Sequence, residues 1–148
     1  MMKSIEEIME GLDWNMPPYK QKESIEMAKG ISCIEVFIQP NTKLFNKNVW
    51  EGCAKILISR RDEDLTPFLI PLLEWVQDEN WPGFDLILNR LRHVETTILI
   101  RPYSYCLIKA KETNDIMWTY YLSLISRDTP LFDLLSNEQK EIVINAHI

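Results

Sequence analysis

A chain of 148 residues with 46% hydrophobic and 26% charged side chains has the make-up of one soluble domain, long enough to bury roughly 68–70% of its unfolded surface without staples. Its net charge of −6 and pI near 5.0 argue against a nucleic-acid partner, which needs a basic field. No apolar run approaches 18 residues, and Lys3, Glu6 and Glu7 follow Met1, so neither a membrane span nor a secretory signal is expected.

Apolar residues recur at spacings of three and four, which predicts helices over 4–11, 17–29, 33–38, 47–59, 66–77, 82–92, 96–112, 115–126 and 137–147, with a shorter piece at 130–135. The first helix opens at Ser4 with Glu7 three residues on, a capping box, and Gly11 is expected to close it in a left-handed conformation. Gly30 is given the same role after the second helix, and Ser32 to Glu35 repeats the capping-box form. Trp50, Cys53, Ala54 and Leu57 form one apolar stripe, in which Cys53 reads as a small buried hydrophobe. Thr66-Pro67 marks a helix start, followed by the stripe Leu69, Leu72, Leu73 and Val76. Phe84, Ile87, Leu88 and Leu91 form the next. Ile98 to Ile100 and Ile34 to Ile38 resemble strands but lack partners, so short helices are preferred, with a break before Pro102. Trp118, Tyr121, Leu122 and Ile125 make a further stripe. Thr129-Pro130 and Ser136 to Gln139 open the last two helices. The fold class is therefore all-α.

A five-residue pattern, D-x-N-x-P, occurs at Asp13 to Pro17 and again 65 residues later at Asp78 to Pro82. Four more short matches follow in the same order, at offsets of 62 to 68. They pair Ile38-Gln39-Pro40 with Ile100-Arg101-Pro102, Trp50 with Trp118, Ser59-Arg60 with Ser126-Arg127, and Thr66-Pro67 with Thr129-Pro130. Collinear order suggests a single helical-repeat domain over 1–148, built of units near 13–77 and 78–148. In the motif, Pro fixes the helix start, while Asp and Asn cover backbone N–H groups. It reads as a sharp corner between antiparallel helices.

Trp75 lies off the stripe of its helix, and Trp81 lies in the second corner. With Asp78, Glu79 and Asn80 they form a candidate protein-binding patch, because Trp is enriched where binding energy concentrates. Trp50 and Trp118 sit on stripes and read as core. His93 and His147 have no companion ligands, so no metal site is expected. Asp62-Glu63-Asp64 lacks the downstream Gly and Glu of a cation loop, and a helix dipole suffices to explain it. No phosphate cradle or nucleophile elbow occurs, so no catalytic residue and no cofactor are assigned. Cys33, Cys53 and Cys106 are odd in number and lack CxxC spacing, which fits a reducing, cytoplasmic setting.

The stretch Leu72 to Gly83, carrying L-L-E-W-x-Q-D-x-N-W-P, resembles a family of small bacterial helical domains of unknown function, as does Asn48 to Leu57. The resemblance implies a HEAT-like helical-repeat fold, an α-α superhelix, and no activity. Against the wider HEAT pattern, the basic residue that follows the inter-helix Asp is missing at Pro82 and Gly83. The leading expectation is a cytoplasmic, monomeric protein-binding module, by fold analogy an immunity or adaptor protein. The alternative is a DNA-acting enzyme that excises damaged bases on such a scaffold, which would need a basic groove.

Overall fold

The computed structural model describes residues 4–148, and among them every regular element is helical. Met1 and Lys3, which bear on the signal reading, lie outside the described residues. The chain opens with an antiparallel pair, α1 (Ile5–Leu12) and α2 (Pro18–Ala28), joined by the first D-x-N-x-P corner. Ser4 caps α1 by accepting from the Glu7 N–H at 3.2 Å. Gly11 does not end the helix. It is buried within α1, where an added Cβ would stand 1.8 Å from Ser24 Oγ, so its role is to let α1 and α2 touch. Gly30 does follow α2, but neither it nor Gly11 has a positive φ.

Where a third helix is predicted, Ile34–Phe37 forms a single 3-10 turn, and the expected Ser32 cap is absent because Cys33 precedes the turn without a side-chain bond. α3 (Lys47–Ile58) is the central helix. Its predicted stripe is buried, and so are Val49, Gly52 and Ile56, because α3 is covered on two sides. One side meets α1, where Gly52 stands against Leu12, and the other meets α6 (Phe84–Leu91). The next helix starts earlier than expected. α4 (Asp62–Leu65) precedes Thr66, whose hydroxyl donates back to the Asp62 carbonyl at 2.7 Å instead of capping forward. A 3-10 turn over Thr66–Phe68 then leads into α5 (Leu69–Trp75).

α7 (Thr96–Glu112) runs straight through Pro102, contrary to the predicted break. The proline costs one backbone bond, but Leu99, Tyr103, Cys106, Leu107 and Ala110 hold that helix in the core from both sides of it. The Tyr103 hydroxyl donates to the Leu122 carbonyl at 2.7 Å, tying α7 to α8 (Ile116–Ser126). α9 (Pro130–Leu134) and α10 (Asn137–Asn145) close the fold, the latter with a complete capping box between Ser136 and Gln139.

Three of the sequence matches do the same local work in both halves. Asp13 and Asp78 each accept from the N–H two residues on at 2.8 Å. Trp50 and Trp118 each donate Nε1 to a backbone carbonyl, of Pro40 and of Leu73. Arg60 and Arg127 each clamp two carbonyls at a helix C-terminus. Thr66 and Thr129 also correspond in part, each donating its hydroxyl to the carbonyl four residues back, whereas Pro40 lies in a loop and Pro102 inside a helix. The clamped helix also precedes Arg60 but follows Arg127.

Candidate functional site

Each corner is built by its own aspartate. At the first, Asp13 Oδ1 accepts from the Asn15 N–H, while Oδ2 accepts from Asn48 Nδ2 at 2.7 Å. The Trp14 N–H donates to the Asn48 carbonyl at 2.9 Å, and Gln21 Nε2 donates to the Met16 carbonyl at 2.7 Å. These bonds fix the backbone of the corner and leave its apolar side chains outside. Trp14 is 56% exposed and Tyr19 71%, with Met16 beside them.

At the second corner, Asp78 Oδ1 accepts from the Asn80 N–H, and the Trp81 N–H donates to the Asp78 carbonyl at 3.1 Å. Gly83 follows with φ of 87°, a left-handed conformation in which an added Cβ would lie 2.7 Å from Ala54 Cβ. Its N–H donates to Glu51 Oε2 at 2.9 Å. Asn48 and Glu51 stand one turn apart at the start of α3, so the two corners converge on the same end of that helix.

The predicted patch divides in two. Trp75 is not at the surface: it is fully buried and donates Nε1 to the Pro82 carbonyl at 3.0 Å. Helical spacing misplaced it because α5 is buried on more than one side, and the face off its main stripe meets α3. Trp50 joins the two tryptophans, with ring centroids 6.0 Å from Trp75 and 5.8 Å from Trp81, both edge-on. Trp81 and Asp78 are half-buried, and Glu79 and Asn80 are exposed. The patch is thus an aromatic edge, backed by two indoles and rimmed by carboxylates.

Tyr121, which stacks edge-on to Phe84 at 5.0 Å, borders the same corner. Burial raises its phenol above the usual tyrosine range, and the negative charges of Glu79 and Asp78 push the same way. Tyr120 lies beside it, with the Arg127 guanidinium 5.9 Å from its ring centre. The first corner was not singled out in the sequence as a surface, although it carries the same motif. What distinguishes it is that no aromatic ring among the described residues stacks on Trp14, a long-range property that no local pattern contains.

The remaining residues weighed in the sequence make contacts within the fold. His93 Nδ1 lies 2.8 Å from the Asn89 carbonyl, and His147 Nδ1 lies 2.7 Å from that of Asn145. Asp62 accepts from Arg90 Nη2 at 2.7 Å and from the Glu95 N–H at 2.9 Å. Burial alone would raise its carboxyl, but these two donors outweigh it and hold the group below the ordinary value. Cys53 and Cys106 are buried, which pushes both thiols up to about 12. No group of three metal-ligating side chains is found among the described residues, and no helix there is long and apolar enough to cross a membrane.

A family model described as a domain of unknown function, DUF5071, matches residues 47–145. That stretch contains the second corner and leaves the first outside it. No curated protein and no solved structure matches the chain.

Proposed function

Because the chain belongs to the DUF5071 family, whose description assigns no activity, we propose its function from geometry: it is a protein-binding module that receives its partner where the two D-x-N corners flank the start of α3. The observation that carries this reading is the exposure of Trp14, Met16 and Tyr19 on a corner whose backbone is hydrogen-bonded in place. Large aromatic side chains concentrate binding energy, and a rigid support reduces the entropy lost on association. Trp81 extends the surface, and Asp78 and Glu79 give it an acidic rim.

Helical pairs packed on either side of α3 support a HEAT-like, repeat-derived scaffold, which presents surface without needing a catalytic pocket. An acidic rim suits a basic partner, as in an immunity protein that masks a toxin or an adaptor; this step is analogy. The setting we infer is the cytoplasm.

The test is affinity capture from the native lysate with wild type, Trp14→Ala, Trp81→Ala and Asp78→Lys side by side. One stoichiometric protein partner is expected, bound at least tenfold more weakly by the variants while their helical circular dichroism is unchanged. Equal capture by all four proteins would remove the corner face from the proposal. Retention of DNA at low salt would favour a base-excising enzyme instead.

A further inference from the structure

A groove of about 660 Å³ opens between α1 and the segment 35–45. Its size lies within the range of small-molecule sites. Ile5, Met9, Val36 and Phe45 supply apolar walls. Three charged side chains stand on the lining, the carboxylates of Glu6 and Glu35 and the ammonium of Lys43.

Gln39, in the wall of this groove, has two unfavourable features. Its φ is +40°, in the left-handed region that non-glycine residues avoid, and Pro40 follows it. Its side-chain nitrogen Nε2 is also buried without a hydrogen-bond partner, alone in this among the side-chain nitrogens and oxygens of the described residues. Neighbouring contacts hold it there: Phe37 is fully buried, the Pro40 carbonyl accepts from Trp50 Nε1 at 2.8 Å, and Asn46 Nδ2 donates to Asn41 Oδ1 at 2.9 Å. Backbone strain and an unpaired buried donor at one residue, next to a cavity, are features that cluster at ligand sites.

We propose that this groove binds an uncharged acyl compound whose carbonyl oxygen accepts a hydrogen bond from Gln39 Nε2 and whose hydrocarbon body lies along Ile5, Met9, Val36 and Phe45. An amide N–H can only donate, so the occupant must carry an acceptor. Two carboxylates against one ammonium disfavour an anionic head, and a cationic head has no acceptor to offer. A neutral carbonyl satisfies both conditions. Nε2 has almost no exposed surface, so binding must turn the Gln39 amide into the groove, a motion its broad terminal torsion permits.

Isothermal titration with decanamide, decanoate and decylamine tests this. Decanamide is expected to bind saturably, the two charged analogues at least tenfold more weakly. Lengthening octanamide to decanamide should tighten binding about three- to fourfold for each methylene. Gln39→Met preserves the length of the side chain and removes the donor, and Gln39→Glu replaces the donor with a carboxylate. Both should lose at least tenfold in decanamide affinity, with circular dichroism reporting that each still folds. The proposal is overturned if decanamide shows no saturable binding to the wild type, if decanoate binds as well, or if a folded Gln39→Met or Gln39→Glu variant binds decanamide undiminished. Trp14 and Trp81 lie outside the groove lining, so failure here leaves the protein-binding face untouched, and the reverse also holds.

Discussion

Asp62 illustrates how a charged residue at a helix start can be a joint between distant segments. One oxygen takes Arg90 and the other takes the Glu95 N–H, while the same Arg90 Nη2 also donates to the Arg60 carbonyl at 2.8 Å. Hydrogen bonds to charged groups contribute about 1.5–3 kcal/mol each, so Asp62→Ala should destabilise the protein by about 2–3 kcal/mol at pH 7, measured by urea denaturation. The pH dependence has a definite sign. The folded carboxyl titrates below its ordinary value of 3.8, so its contribution is fully present above that pH and is lost as pH falls through the lower folded value. The gap between wild type and Asp62→Ala should therefore close in strong acid. In the sequence, Asp62-Glu63-Asp64 was legible as a helix start, but its partners lie 28 and 33 residues away and could not be read from spacing.

At the scale of elements, arginines close several helix ends, one of them the end of α2, where Gly30 was expected to do so. The last carbonyls of a helix lack internal partners and carry partial negative charge, so a guanidinium satisfies both needs. Arg60 Nη2 reaches the Ala28 and Ile31 carbonyls at 2.8 Å each, Arg92 reaches that of Leu124, and Arg127 Nη2 reaches Val143 at 2.8 Å and Ala146 at 2.6 Å. The helices themselves were legible because burial imposes a period of 3.6 on the sequence. Their ends were less so, because a partner on another element can close a helix with no local signal. Arg127→Met should leave most of the fold in place and release α10, since that helix buries only Val143. Hydrogen–deuterium exchange should rise over 137–145 with little change in α3, and the stability lost should be about 1–3 kcal/mol.

For the molecule as a whole, the sequence made the all-helical class, the two corners and the acidic rim legible, but not which corner is exposed. That depends on three indoles from different elements meeting around Trp50, which covers Trp75 and half-covers Trp81 and leaves Trp14 uncovered. It depends equally on Asn48, a residue with no distinguishing pattern of its own. The meeting of both corners at α3 has a kinetic consequence. The Trp14 amide is held by the Asn48 carbonyl and the Gly83 amide by the Glu51 side chain, so unwinding of that one turn exposes both. Their amide protons should exchange with solvent in step, at a rate set by a single opening event, and a ligand that grips either corner should slow exchange at both. Independent exchange rates for the two amides would mean that each corner opens by itself. Synchronous rates would make the first turn of α3 a latch, through which two surfaces far apart in the chain report on one another.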